Sequence, residues 1–326
     1  MPRSMTYRDA LREALREELI RDERIFLLGE DIEDPFGGTY KVTQGLTEEF
    51  GHDRVRNTPI SEIAITGVAL GAAMTGMRPV AELMYVDFAG CAMDQIMNQI
   101  AKMRYMSGGQ VEAPLVIRTQ QGTGRSSAAQ HAQSLEAMFA HIPGLKVAMP
   151  VTPYDAKGML KAAIRDPDPV IFLEHKLLYN TTGEVPEEDY VVPLGVADVK
   201  RVGTDVTIVA TSRMVLHALD AAEILAKDGI SVEVVDPRSI VPLDQETIFD
   251  SLRKTHRLMV VHEAVERNGW GAELCALVMD HCFDELDAPV KRIASKNTPV
   301  PFAPVLENFV VPSVEEIVAG VKDLLV

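Results

Sequence analysis

The stretch TPISEIAITGVALGAAMTGMRPVAELMYVDF, residues 58–88, decides how the first half of this chain folds. It opens on a polar turn, places Glu62 ahead of a run dominated by Ala, Gly and other small residues, and closes on a compact apolar segment. That spacing predicts a helix over 63–77 and a strand over 80–83. Gly67 and Gly71 stand four apart on one helix face, so a second backbone can approach them closely. Glycine weakens a helix, and tight packing on that face is the expected compensation.

The pattern repeats on either side. Upstream, Thr6 can cap a first helix whose Leu11, Leu15 and Leu19 form one apolar stripe. A strand over 25–28 follows, ended by Gly29, and then a polar loop, EDIEDPFGGTY. Downstream, strands are expected at 115–119, 145–149 and 170–174, with helices at 91–106 and 155–164. Such alternation points to a parallel sheet covered by helices. Residues 177–194, LLYNTTGEVPEEDYVVPL, are rich in turn formers and acids and mark a boundary. Beyond it a second series begins, with strands at 206–210, 232–235 and 258–262 and helices at 215–226, 244–254 and 271–281. The fold class is therefore α/β: two domains with mainly parallel sheets flanked by helices, as a length of 326 residues also favours.

A net charge of −16 opposes binding to a polyphosphate backbone, which excludes nucleic acid as the expected partner. The same acidity serves solubility, or attraction to a basic protein. Cys91, Cys275 and Cys282 have neither disulfide-framework nor zinc-site spacing. The first twenty residues mix acids with bases and lack the apolar core of a signal peptide, and no apolar run is long enough to span a membrane. A cytoplasmic, membrane-free protein is expected.

Three segments carry polar residues where fold economy does not ask for them: TPISE at 58–62, ELMYVDF at 82–88 and QQGTGRSSAAQH at 120–131. Each lies near a strand or helix end, where open α/β sheets place their ligands. A carboxylate at Glu62 would interact well with a helix N-terminus, a capping role that sequence alone does not separate from catalysis. His131 stands equally between a structural and a catalytic reading. The 120–131 loop has neither the order of a P-loop nor that of a dinucleotide fold, and no G-x-S-x-G surrounds Ser61, Ser126 or Ser134.

Taken together with DQIMNQIAKMRYMSGG, AAQHAQSLEA, PGLKVAMP, PYDAKGMLKAAIRDPDPVIFLEHK and TPVPFAPVLE, these segments resemble the β subunits of thiamine-diphosphate-dependent E1 components of 2-oxo acid dehydrogenase complexes, of pyruvate or acetoin type. The resemblance covers nearly the whole chain. It implies a pyrimidine-binding domain over 1–185 and a transketolase C-terminal-like domain over 195–326. It also implies that Glu62 contacts N1′ of the cofactor's aminopyrimidine. A carboxylate there favours the imino tautomer, whose 4′-nitrogen can remove the C2 proton. Burial would tend to raise such a carboxyl's pKa. Met84 and Phe88 are implied to line the pyrimidine pocket, and His131 to handle the substrate-derived intermediate. AIRDPDP matches a loop that in many relatives holds potassium through Asp166 and backbone oxygens of Ala163, Ile164 and Asp168.

No G-D-G occurs in the 326 residues, so the Mg²⁺ and the diphosphate are expected on an α subunit, in an α2β2 heterotetramer that passes its acyl unit to the lipoyl group of an E2 acyltransferase core. Glu174, His175 and Lys176 resemble acetoin and bacterial pyruvate enzymes more than branched-chain ones. A single-chain transketolase-like synthase and a non-catalytic assembly subunit are the alternatives, disfavoured by the missing G-D-G and by the joint presence of Glu62 and His131 respectively.

Overall fold

The structure, a computed structural model, describes residues 3–326. Its contacts divide the chain into two compact units, Met1–Gln121 with Met138–Leu194, and Gly122–Ala137 with Gly195–Val326.

In the first unit β1 (Arg3–Thr6), α1 (Tyr7–Arg21), β2 (Ile25–Gly29), α2 (Leu46–Phe50), β3 (Val55–Asn57), α3 (Glu62–Met74) and β4 (Arg78–Leu83) lead to α4 (Met103–Met106) and β5 (Val116–Gln121). The chain re-enters through α5 (Glu136–Ala140) and continues as β6 (Lys146–Ala148), α6 (Pro153–Arg165), β7 (Val170–His175) and β8 (Thr182–Val185). The strands lie in the order β6-β7-β5-β4-β2-β3, every pair parallel. Because β3 lies on one side of β2 and β4 on the other, the winding reverses at β2, and such a reversal opens a crevice at the carboxyl ends of the strands. Gly29 allows the close approach there: a Cβ on it would stand 2.9 Å from the Glu82 carbonyl oxygen.

The expected first helix is α1. Thr6 caps it, its Oγ1 accepting from the Asp9 backbone N–H at 3.1 Å, and Leu11, Leu15 and Leu19 are buried. Each such leucine contributes about 1.5–3 kcal/mol relative to exposure. Between α1 and α6 the sequence hides an ion-pair ladder. Lys157 Nζ, fully buried, donates to Glu13 at 2.5 Å and Glu17 at 2.8 Å, while Arg165 donates to buried Glu18 at 2.6 Å.

Two expectations need correction. The helix read over 91–106 is broken: residues Val86–Ala92 form a 3₁₀ segment, Asp94–Ile100 a π-helical one, and only Met103–Met106 is α-helical. Ala92, Ile96 and Ile100 are buried, and a repeat of four is kept equally well by either winding, so periodicity could not reveal the break. The stretch 177–194, read only as a boundary, also carries a strand: β8 pairs antiparallel with β1, Thr182 opposite Thr6. As a short, largely exposed strand it shows no apolar alternation.

The second unit contains β9 (Asp198–Arg201), β10 (Val206–Ala210), α7 (Met214–Lys227), β11 (Val232–Asp236), β12 (Ser239–Val241), α8 (Gln245–Thr255) and β13 (Leu258–Val265). It closes with α9 (Trp270–His281), β14 (Lys291–Ser295), α10 (Pro304–Val310) and α11 (Val314–Leu324). Its five-stranded sheet has the order β14-β13-β10-β11-β9, parallel except for the edge strand β9. The strands expected from apolar runs are β10, β11 and β13; β9, β14, α10 and α11 were not legible. A capping box starts α11, with Ser313 and Glu316 each bonded to the other's backbone N–H.

Candidate active site

Four segments of the first unit meet at the carboxyl edge of its sheet: Glu30 after β2, Thr58–Glu62 after β3, Met84–Phe88 after β4 and Gln121 at the end of β5. Thr58 is tied to this edge by its backbone N–H, which donates to the Gly29 carbonyl at 2.9 Å. Glu62 is the first residue of α3, half-buried, and the residue before it offers no side-chain cap. Its carboxylate therefore sits where the helix's free N–H groups and dipole favour negative charge. Burial, and then the charges of Asp31 and Glu62, push the Glu30 carboxyl above its ordinary value. The Thr58 hydroxyl is buried and has no hydrogen-bond partner among the described residues.

Met84 and Phe88 are both half-buried beyond β4. The Phe88 ring meets Tyr85 edge-on with centroids 5.7 Å apart, and Tyr85 meets Tyr40 in the same manner at 6.5 Å. Tyr40 stacks on Tyr179 at 4.5 Å. Phe88 thus ends an aromatic series that begins at buried Tyr179, in the turn after β7.

Beneath this edge lies an ionic cluster that the apolar reading of 115–119 and 170–174 did not contain. Arg118, buried, donates from Nε and Nη2 to the two oxygens of Glu174 at 2.7 and 2.9 Å and from Nη1 to Glu82 at 2.8 Å. Tyr179 donates its hydroxyl to Glu174 at 2.6 Å. Burial raises the Glu82 carboxyl despite Arg118, and the nearby charge of Glu174 adds to the shift. Glu174, His175 and Lys176 are fully buried in or just after β7, so the residues that suggested a substrate class are scaffold rather than pocket wall.

His131 belongs to the second unit, half-buried, with its carbonyl accepting from Ser127 Oγ at 3.3 Å. Two buried acids that the sequence reading missed hold the loop around it. Glu263 Oε1 accepts from the Thr123 N–H at 2.6 Å and from its hydroxyl at 2.9 Å; Glu307 accepts from the backbone N–H groups of Gly124 at 2.8 Å and Ser126 at 3.1 Å. Glu307 lies within the quoted TPVPFAPVLE, the one signal that could have pointed to it.

The turn after α6 was expected to hold potassium through Asp166, Ala163, Ile164 and Asp168. Its oxygens are already engaged. The Asp166 N–H bonds the Ala163 carbonyl at 3.3 Å, and Arg78 Nη1 donates to the carbonyls of Ile164 at 3.3 Å and Asp166 at 3.2 Å. Lys146 Nζ donates to both carboxylate oxygens of Asp166 at 2.7 Å and stands 3.3 Å from Asp168, which Arg104 also pairs. Burial opposes ionisation of Asp168, but the bonds from Arg104 and Lys146 outweigh it and hold its carboxyl below the ordinary value. Lys146 and Arg104 thus pair the two carboxylates, and Arg78 takes two carbonyls of the same turn.

A β2/β4 switch point headed by a carboxylate and a small-residue helix agrees with the pyrimidine-binding domain that the resemblance implied. The profile "Transketolase, pyrimidine binding domain" matches residues 3–182, and "Transketolase, C-terminal domain" matches 195–317. The β subunit of acetoin:2,6-dichlorophenolindophenol oxidoreductase of Bacillus subtilis is 49% identical, over 100% of this chain and 98% of that one. The β subunit of 2-oxoisovalerate dehydrogenase from the same organism is 48% identical over 98% of each, and the pyruvate dehydrogenase E1 β subunit of Rhizobium meliloti is 49% identical over 98% of this chain and 69% of its own. A solved split-gene transketolase, an inactive β4 tetramer, superposes with a TM-score of 0.83 at 25% identity over 98% of both chains. The chain belongs to the transketolase-type family of dehydrogenase E1 β subunits.

Proposed function

We propose that this chain is the β half of a thiamine-diphosphate-dependent E1 enzyme that cleaves a 2-oxo acid or acetoin and hands the acyl unit to a lipoyl group on an E2 core. The observation that carries the proposal is Glu62, half-buried at the head of α3 on the carboxyl edge of the sheet, where the segment before it holds the Thr58 hydroxyl, without a hydrogen-bond partner among the described residues, and the segment after β4 holds Phe88. A carboxylate, an unsatisfied hydroxyl and a ring face fit a polar heteroaromatic ligand. When bound, the cofactor supplies a nucleophilic carbon that takes up the electrons released by cleavage. Glu62 would hold the pyrimidine at N1′, the Thr58 hydroxyl would offer it a further hydrogen bond, and Phe88 with Met84 would wall the ring from water. His131 moves a proton at the substrate-derived oxygen.

Mg²⁺ and the diphosphate fall to an α subunit, since no G-D-G occurs here. The exposed face of α3 supports a partner chain: Ile63, Val68 and Met74 are 48%, 57% and 42% exposed, Ile60 just ahead of the helix is 76% exposed, and a Cβ on Gly71 would meet nothing within 4 Å. A Cβ on Gly67 would stand 3.5 Å from Gln95 of this chain, so it is the packing at Gly71 that a partner would supply, within an α2β2 heterotetramer. A pyrimidine-binding domain over 1–185 and a C-terminal domain over 195–326 that serves subunit contact and E2 docking complete the assignment. The three free cysteines fit a cytoplasmic setting, and no helix among the described residues is long and apolar enough to cross a membrane.

The relatives with acetoin, pyruvate and 2-oxoisovalerate names stand at 48–49% identity and do not rank substrates. The reconstituted α/β pair, assayed on acetoin, pyruvate and branched 2-oxo acids with an artificial acceptor, tests the reading. Glu62→Gln is expected to abolish turnover while assembly persists; near-normal turnover would sink the assignment.

A further inference from the structure

The segment Gly122–Ala137 carries His131 on a loop whose residues 124–131 are exposed or half-buried. Behind it in the second unit lies a cavity of about 360 Å³, lined among others by Thr123, Gln133, Ser134, Glu263, Ser295 and Lys296. The loop backbone is also strained: Ser126 has φ 51° and Ala128 φ 59°, left-handed values that side-chain-bearing residues rarely adopt. Strain of this kind persists only where surrounding groups over-determine the conformation.

Those groups are the two acids. Glu307, 2% exposed on α10, spends one carboxylate oxygen on the N–H of Gly124 and the other on that of Ser126, so it fixes the backbone on both sides of Arg125. Glu263, 6% exposed on β13, takes the N–H and hydroxyl of Thr123. Bonds from N–H groups to an ionised acceptor are shorter and stronger than neutral ones. The loop and Glu307 are 181 residues apart in the chain at Ser126, and every contact named lies within one compact unit.

We propose that Glu307 is a positioning residue: its carboxylate straps the strained 122–128 backbone over the cavity and thereby sets where His131 stands. This rests on the catalytic reading of His131 given above. An amide cannot stand in for the carboxylate, because it would turn its NH₂ group toward one of the two N–H donors. The bonding therefore requires an acceptor at both oxygens.

The test compares the wild-type full chain with Glu307→Gln and Glu307→Ala, alone and with its α partner. Amide hydrogen exchange at Gly124 and Ser126 is expected to accelerate in both variants while the strands of the five-stranded sheet keep their protection. Turnover of the pair is expected to fall by about tenfold to a hundredfold in kcat with little change in KM, as a misplaced catalytic group produces. Acetate or formate, but not chloride, is expected to recover part of the loss in Glu307→Ala. Unchanged exchange at Gly124 and Ser126, unchanged kcat, or equal effects of acetate and chloride would each overturn the proposal. If Glu307→Ala fails to fold, Glu307→Gln carries the exchange and kcat measurements alone. Glu62→Gln, run in parallel, separates failure of this proposal from failure of the enzymatic reading, since only the latter leaves Glu62→Gln active.

Discussion

Replacing Arg118 with methionine should be among the most damaging single changes in the first unit, for a reason that can be worked from the contacts. The side chain is 1% exposed and gives three hydrogen bonds of 2.7–2.9 Å to Glu82 and Glu174. Methionine preserves much of the volume, so cavity formation contributes little and the loss is electrostatic. Two buried carboxylates would be left with no cation, and breaking a buried pair by removing one partner costs about 3–5 kcal/mol. Set against a typical stability of about 5–15 kcal/mol, that is a large fraction.

The pH dependence has a definite sign. Burial and then the charge of Glu174 already set the Glu82 carboxyl above its usual value, with Arg118 opposing them. Without Arg118 the folded-state Glu82 carboxyl rises further above its unfolded value of about 4.3. A carboxyl raised in the folded state carries its full penalty above its folded pKa; the penalty shrinks as pH falls through that value and is gone only below the unfolded pKa. The gap between wild type and Arg118→Met should therefore be widest near pH ~7 and shrink toward pH ~5. Urea unfolding followed by circular dichroism, extrapolated to water at each pH, measures it. A loss below about 1 kcal/mol at neutral pH, or a gap that widens on acidification, would refute the reasoning. As a control, Glu82→Gln removes one of two acids competing for a single cation and should change stability by less than about 1 kcal/mol.

Two further outcomes follow from surfaces described above. Gly71→Leu adds a Cβ where no described residue lies within 4 Å, so the isolated chain should keep its thermal midpoint while association with the α partner, followed by sedimentation, is lost. Because Lys146, Arg78 and Arg104 already occupy the 163–168 turn, the midpoint should be the same in potassium and tetramethylammonium chloride at equal ionic strength; a saturable, potassium-specific rise would contradict that account.

How much could be read in advance depends on the kind of pattern. Strands of the sheet interiors, such as β10 and β7, are continuous apolar runs and stood out in the sequence almost to the residue. The helix α1 was legible because Thr6, Asp9 and three leucines agree. What stayed hidden depends on residues far apart in the chain. Arg118 looks like an intrusion in an apolar strand until Glu82 and Glu174 arrive from neighbouring strands, and buried Lys157 and Lys161 look like surface charges until α1 supplies Glu13 and Glu17. The candidate site divides in the same way. Glu62, Met84, Phe88 and His131 were marked by motif, and the structure brings the first three to one sheet edge, whereas nothing local to Glu263 or Glu307 says that they hold the 122–126 backbone. The potassium expectation came from the likeness of AIRDPDP to relatives' loops, and no motif records that Arg78 and Lys146 converge on its oxygens from elsewhere.

The bare face of α3 also bears on how a cell must make this protein. A ridge of exposed Ile60, Ile63, Val68 and Met74 beside two glycines is sticky, as an apolar patch of this kind is toward whatever it meets. Surplus chains would pair with one another or be recognised as orphans and degraded. Matched synthesis of the two subunits, through adjacent genes or coupled translation, would then be a demand set by this one helix rather than by the chemistry it serves.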